Sequence, residues 1–392
     1  MKRYFSGIMA GLILFTAGCS KSGEQKNGGD GIKLMFIGQI TDTANTTPRP
    51  EALAGVRAAI ASINASGGIR GKRLNLIICD DRGDANQATK CARKAVRENV
   101  AATVGNNSNF GSAILAVLER GNVASIGHLP ITQSDFSSPV AFPLQAGSAG
   151  MIAGAARLLA SQDAKQVGLA AVDSPAGSLN EKFANAGVKG TETKVGELTL
   201  VPLDAPDYAG YVKKVTSSGD AVLLGMNSDQ AGRFLQAMYE AGAKQPVAVT
   251  VGALPPDLIA RLGPAAEGRF ITAPLRPIEA GGKSNDQYLA DLAAHQPNTN
   301  RNVFSQGGWL AVQAFAAAMT TKQVEDFSPQ NVLAAMNSLE GLVVGDMIPS
   351  LTTTKKLDPP YNRLFINKVM FARVVNGKIE LLNNDWHPTL AQ

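Results

Sequence analysis

Apolar runs of strand length alternate along this chain with stretches whose apolar residues recur every three or four positions. Residues 33–38 (KLMFIG) are almost wholly apolar, the pattern of a strand buried on both faces. In residues 50–65, Leu53, Val56, Ile60 and Ile63 keep helical spacing and predict an amphipathic helix. Residues 74–79 (LNLIIC) predict the next strand and 86–98 the next helix. The alternation continues through strands at 101–105, 124–127, 167–172, 221–225 and 247–251, and helices at 111–120, 151–162, 179–186, 207–217 and 228–241. Such alternation predicts the α/β class with doubly wound parallel sheets. The number of units requires two sheets, and therefore two lobes.

Breaks in this pattern suggest where the chain passes between lobes. Residues 141–148 (AFPLQAGS) carry Pro143 and Gly147 between two sets of units, and 270–277 (FITAPLRP) interrupt the pattern again. Apolar helices are predicted at 304–319 and 329–338. Residues 366–382 alternate as two strands around Val375-Asn376-Gly377, a strong hairpin signal. The expected division is lobe I from 32–143 and 273–345, and lobe II from 144–272 and 346–392, the last part ending in the hairpin.

The N-terminal segment decides the compartment. Lys2 and Arg3 precede an apolar stretch, 8–15 (IMAGLILF), too short to span a bilayer, and Thr16-Ala17-Gly18-Cys19 closes it with small residues before a thiol. This resembles a bacterial lipoprotein signal, although Thr16 stands where such signals usually have Leu. The resemblance implies cleavage of residues 1–18 and a lipid on Cys19; an ordinary secretory peptide with an incidental cysteine is the other reading. Residues 19–31 are polar and Gly-rich, a flexible tether, so the folded body begins near Ile32. No other run reaches 18 apolar residues, so the expected location is extracytoplasmic, held to a bacterial membrane through the lipid. There disulfides persist. Cys79 and Cys91 lie at a predicted strand end and in the following helix, where the helix can lean back over the strand; they are either a bridge or two buried thiols.

Charge narrows the partners. A formal net charge of +5 over 392 residues lacks the dense basic stripe of a nucleic-acid binder. A monomer without cofactor or metal is expected.

Residues 63–84 (INASGGIRGKRLNLIICDDRGD) carry a more specific signal. They resemble the strand-helix-strand opening of the leucine/isoleucine/valine-binding-protein family, the type I periplasmic binding proteins of ABC importers. Gly67, Gly68 and Gly71 let the chain turn out of the first helix, and an acidic cluster follows the second strand. The resemblance implies two α/β lobes joined by three crossings, with a small-molecule ligand in the cleft between them and an ABC permease as partner. It implies hinge closure over the ligand.

The site should lie beyond the carboxyl ends of the strands, as in other open α/β sheets. That rule nominates the loops 106–112, 128–132, 173–178 and 226–228, with Gly252-Ala253 and residues 41–47 as further walls. In the family, the first two loops supply hydroxyl and backbone N–H groups to a ligand carboxylate. Here they offer Asn107, Ser108, Asn109 and Phe110 before a helix N-terminus that favours anions, and then His128, Leu129 and Thr132. Ser108 is the leading candidate, against the plainer reading of a turn and helix cap. His128 is a ligand contact or a structural hydrogen-bonder. Lobe II offers Asp173, Pro175, Met226, Asn227 and Gly252.

Departures from the family bear on the ligand. Ala176-Gly177 stands where amino-acid binders have Tyr-Gly, Met226-Asn227 replaces an aromatic, and residues 250–256 (TVGALPP) lack the acid that would neutralise a ligand ammonium. A buried ammonium without a carboxylate is costly, so an uncharged or carboxylated apolar solute fits better unless Asp173 or Asp229 substitutes. Catalysis finds little support: there is no Gly-x-Ser-x-Gly elbow, and the three histidines have no metal-ligand spacing. Nor does any Gly-x-Gly-x-x-Gly follow a strand. The expectation is a solute-binding lipoprotein serving an ABC permease, with a ligand sensor of the same fold as the alternative and an enzyme a distant third.

Overall fold

A computed structural model describes residues 1, 31–43 and 48–390; the expected signal peptide, Cys19 and most of the tether lie outside the described residues. The body opens with β1 (Ile32–Gly38), α1 (Pro50–Ala65), β2 (Leu74–Asp80), α2 (Ala85–Arg97), β3 (Ala102–Val104), α3 (Gly111–Arg120), β4 (Ala124–Ile126) and β5 (Ala141–Phe142). These strands form one parallel sheet in the order β2-β1-β3-β4-β5. Order reverses between β1 and β3, which makes this the switch point of the sheet, where ligand sites of open α/β sheets form.

The second sheet is built from α4 (Gly147–Ala160), β6 (Gln166–Val172), α5 (Asn180–Val188), β7 (Lys194–Val201), α6 (Ala209–Ser217), β8 (Ala221–Gly225), α7 (Ser228–Glu240), β9 (Val247–Thr250), α8 (Pro256–Leu262) and β10 (Phe270–Ala273). The chain then returns to the first sheet for α9 (Lys283–His295), α10 (Val303–Thr321) and α11 (Pro329–Asn337). It ends on the second with β11 (Lys368–Val375), β12 (Lys378–Leu381) and β13 (His387–Pro388). The second sheet runs β12-β11-β10-β9-β8-β6-β7, with β11 and β12 antiparallel, and its order reverses between β6 and β8. Asn376 and Gly377 both take positive φ, 51° and 73°, as the hairpin signal requires.

Two departures from the sequence reading have physical causes. Strands β7 and β10 and helices α8 and α9 were not foreseen: Gly196 interrupts the β7 alternation, β10 and α8 are only 4 and 7 residues long, and polar residues dilute the apolar stripe of α9. The return to lobe II also falls later than residue 345. Met347, Ile348, Leu351 and Ile366 bury themselves in the core around α1 and α10, while Leu357, Tyr361, Leu364 and Val369 pack on the core around α4, so the passage lies within 352–369. The apolar residues beyond 345 read equally well as belonging to either lobe; packing decides.

Lobe I is tightly braced. Helices α1 and α10 approach so closely that a β-carbon on Gly55 would collide with the Ser305 carbonyl and one on Gly308 with the Ala52 carbonyl. On the opposite face, a disulfide joins Cys79 to Cys91, with Cα atoms 5.6 Å apart, tying α2 to the edge strand β2. At the passages between lobes, Arg363 is almost fully buried, its guanidinium 4.4 Å from the Phe142 ring centroid and 4.7 Å from that of Phe365. It donates from Nε to the Ala141 carbonyl and from Nη1 to Asn337, and burial lowers its pKa to about 10. The first and third passages are thereby fastened together.

Candidate ligand cleft

On the lobe I side, backbone pairing sets the floor. Asn107 N–H donates to the Ile37 carbonyl at 3.0 Å, and Gln39 N–H donates to the Asn107 carbonyl at 3.3 Å, so the loops after β1 and β3 run together at the switch point. Asp80, at the end of β2, accepts from the Ile40 and Thr41 N–H groups and the Thr41 hydroxyl. Burial acts to raise its pKa, but these donors outweigh it and hold the carboxyl below the usual value. Asn106 is fully engaged, accepting from Ile37 N–H and donating to Thr103 and Ser125.

The side chain of Asn107 receives a hydrogen bond from Arg49 Nη1 at 3.3 Å. Arg49 immediately precedes α1, and its guanidinium lies over the Phe304 ring, 4.8 Å from the centroid. Burial lowers the Arg49 pKa, with the nearby Glu51 acting in the opposite direction. Across from this pair is lobe II: a β-carbon built on Gly252 would stand 3.8 Å from the Phe304 ring edge. Gln145, buried in the first passage, points its amide toward Gly307 of α10, 3.9 Å from where a β-carbon would sit. Asn107, Arg49, Phe304 and Gly252 therefore form a continuous chain of contacts from the lobe I switch point to the loop after β9 of lobe II.

Several nominated residues point elsewhere. Ser108 is buried, accepts the Phe110 N–H at 3.1 Å and faces the Asp81 carboxylate. Burial raises the Asp81 pKa, and the Ser108 hydroxyl and Gly83 N–H oppose it. His128 turns into the lobe. Its Nδ1 is 3.2 Å from both the hydroxyl and the carbonyl oxygen of Ser125, and its Nε2 is 3.6 Å from Asp135 Oδ1. With Asn106, Ser108, Ile114, Leu115 and Leu129 these groups enclose a void of mixed lining too small for an organic solute. Burial drives the His128 pKa below the ordinary imidazole value, with Asp135 pulling the other way. Thr132 caps a short turn by donating its hydroxyl and N–H to Asp135.

Asn109 is exposed and Phe110 half-buried against the α2–α3 core. In lobe II, Met226 faces the core. Asn227 is exposed and caps α7 by accepting the Gln230 N–H, while Asp173 and Pro175 are exposed on their loop. Among the described residues, no three His, Cys, Asp or Glu side chains stand together as a metal site. Arg49 and Phe304 were missed by the sequence reading. A signal existed for the first: a cation directly before a helix opposes the helix dipole, so its placement calls for a partner.

Residues 36–378 match the family described as Periplasmic binding protein. The chain belongs to that family, and its two α/β lobes with a switch-point cleft are the type I form of it. Solved structures repeat the fold. An ABC transporter substrate-binding protein from Sphaerobacter thermophilus superposes with a TM-score of 0.76 at 17% identity, covering 92% of this chain and 99% of that one. A fatty acid ABC transporter substrate-binding protein from Thermomonospora curvata gives 0.74 at 17% identity, covering 91% and 92%. An R. palustris ABC transporter solute-binding protein in complex with 4-hydroxybenzoate gives 0.71 at 17% identity, covering 92% and 98%. No curated protein matches. The family is one of periplasmic binding proteins, and among the described residues no helix is long and apolar enough to cross a membrane.

Proposed function

We propose that the chain is the lipid-anchored capture subunit of an ABC importer, closing its lobes over a small organic solute and delivering it to a permease. One observation carries the reading: Gly252, in the loop after β9 of lobe II, faces the Phe304 ring of lobe I, on which the Arg49 guanidinium is packed. A solute touching both sides favours the closed form by its preferential affinity for it. Residues 250–256 present no carboxylate, Asp229 is paired with Arg233 at 3.0 Å, and Asp257 with Arg261 at 2.8 Å. The solute is accordingly not an ordinary α-amino acid. Two structural neighbours named for carboxylates, a fatty acid and 4-hydroxybenzoate, support this direction. The Thr16-Ala17-Gly18-Cys19 motif supports the anchor.

Thermal unfolding against a solute library tests capture, because a ligand that binds only the native state raises the melting temperature. The expected result is a shift with at least one non-amine organic solute; a flat response across the library would count against capture. For the anchor, Cys19→Ser should move the protein from the membrane fraction to the soluble fraction, and unchanged fractionation would remove the lipid from the account.

A further inference from the structure

The Arg49 guanidinium is a half-buried cation without an ion-pair partner among the described residues, held between the loop after β3 and the Phe304 ring. We infer that Arg49 is the anion anchor of this site, and that its solute is a carboxylate lacking a charged amine, its apolar or planar body resting against Phe304 and the bare backbone at Gly252. The inference deepens the capture reading and rests on it.

Three observations converge. The first is unused bonding capacity. A guanidinium carries five N–H donors in a fixed fork, and one of them goes to Asn107 Oδ1. The nearest influential carboxylate, Glu51, gives one oxygen to Asn302 Nδ2 at 3.3 Å and lies on α1 itself, so it tempers the charge of Arg49 without closing the fork. An arginine keeps its charge, and a partly desolvated charge is stabilised when an anion completes its hydrogen bonds.

The second is the occupied state of the alternative donor. The Ser108 hydroxyl accepts Phe110 N–H and faces Asp81, on the inner side of the loop. It is therefore not the group that meets a carboxylate, whereas Arg49 is tied to that loop through its bond to Asn107. A fork also matches a planar carboxylate in a bidentate way that a single hydroxyl does not.

The third is the shape and charge of the facing wall. Stacked on Phe304, Arg49 extends the ring into a flat shelf, and lobe II opposes it with a glycine. A flat shelf facing bare backbone admits a ring or an extended chain. Asp173, exposed on the loop after β6, forms no ion pair among the described residues, whereas Asp229 is paired with Arg233, and Asp173 is the group an ammonium would need.

Isothermal titration of the full chain with matched pairs tests this: benzoate against benzamide, hexanoate against hexanamide, and 4-methylpentanoate against leucine. The acid of at least one acid–amide pair should bind tenfold or more tightly than its amide, and 4-methylpentanoate should bind more tightly than leucine. Arg49→Gln should abolish the preference for the acid, lowering acid affinity tenfold or more while amide affinity falls much less. Arg49→Lys should restore only part of it, since an ammonium lacks the fork. Full acid affinity in Arg49→Gln overturns the anchor. Tighter binding of leucine than of 4-methylpentanoate, lost in Asp173→Asn, overturns the carboxylate class while leaving solute capture standing. No binding by any member overturns both together.

Discussion

Asn107 and Asn227 hold similar places in the two lobes, each just beyond a parallel strand at a switch point and just before a helix. Their surroundings differ. Asn107 is buried, its backbone paired on both sides with the β1 strand and loop, and its side chain accepts from Arg49. Asn227 is exposed and does no more than cap α7, accepting the Gln230 N–H and donating to the Gln230 side chain. The same contrast extends outward. Behind the lobe I loops stand Asp80, Asp81, Asp135 and His128, each held by neighbours, whereas the lobe II loop at 173–176 is largely exposed. On the proposed reading, lobe I is thus a preformed half-site carrying charge, and lobe II a lightly decorated wall. In such a clamshell the charged half fixes orientation, and the plainer half contributes shape and excludes water on closure.

Breaking the braces of lobe I should therefore cost more than the equivalent change in lobe II. The largest effect is expected from the Cys79–Cys91 bridge. It closes a loop of sequence separation 12, which the chain-entropy account values at about 3 kcal/mol. Replacing both cysteines by alanine should lower the melting temperature by that equivalent. Denaturant unfolding with and without reductant measures it, and equal midpoints in the two conditions would show that the bridge does not brace this lobe.

Close behind is Gly308→Ala. The added methyl meets the backbone carbonyl of Ala52, which cannot swing aside as a side chain could, so α1 and α10 must separate at a cost of about 2–3 kcal/mol. Since Phe304 sits at the start of α10 and Arg49 just before α1, ligand affinity should fall with stability. Gly210→Ala in lobe II, where the new methyl meets open space, is the control and should leave both unchanged. A neutral Gly308→Ala would mean that the two helices do not need their close approach.

The buried polar group behind the lobe I loops predicts an acid sensitivity. His128 has a folded pKa below its unfolded value, so between the two the unfolded chain holds a proton that the native protein does not. Stability present above the unfolded pKa of about 6.5 should therefore be lost as pH falls below it, by at most ~1.4 kcal/mol per pH unit for one imidazole. His387, stacked on Phe371 and also lowered by burial, acts in the same direction. Unfolding free energies from pH 7.5 to 5 should show a decline that is smaller in His128→Gln; an identical slope in the variant would assign the sensitivity elsewhere.

How much of this was legible in the sequence follows from which forces decide it. Strand and helix positions follow local periodicity, and the glycines at 67, 68 and 71, all with positive φ, mark a turn whose conformation side chains resist. The switch-point rule likewise located the loops. What it could not give was the direction each side chain takes from its loop. Ser108 and His128 turn inward because Asp81, Ser125 and Asp135, distant or unremarkable in the sequence, await them there. Met226 turns inward because the strand β8 hands it to the core around α7. Arg49 and Phe304 are 255 positions apart, and only the packing of α1 on α10 makes them one surface.

The smallest predicted effect sharpens the comparison most. Asn227→Ala removes a helix cap, worth about 1 kcal/mol, and should leave solute affinity within experimental error because the side chain serves α7 alone. Asn107→Ala removes no cap; it frees Arg49 from its side-chain acceptor, so affinity should drop severalfold while stability changes less than in Asn227→Ala. Paired titration and thermal unfolding of the two variants read both quantities at once. If Asn227→Ala weakened binding as much as Asn107→Ala, the lobe II loop would be a contributor to recognition in its own right, and the division between a charged, preformed half and a closing wall would have to be abandoned.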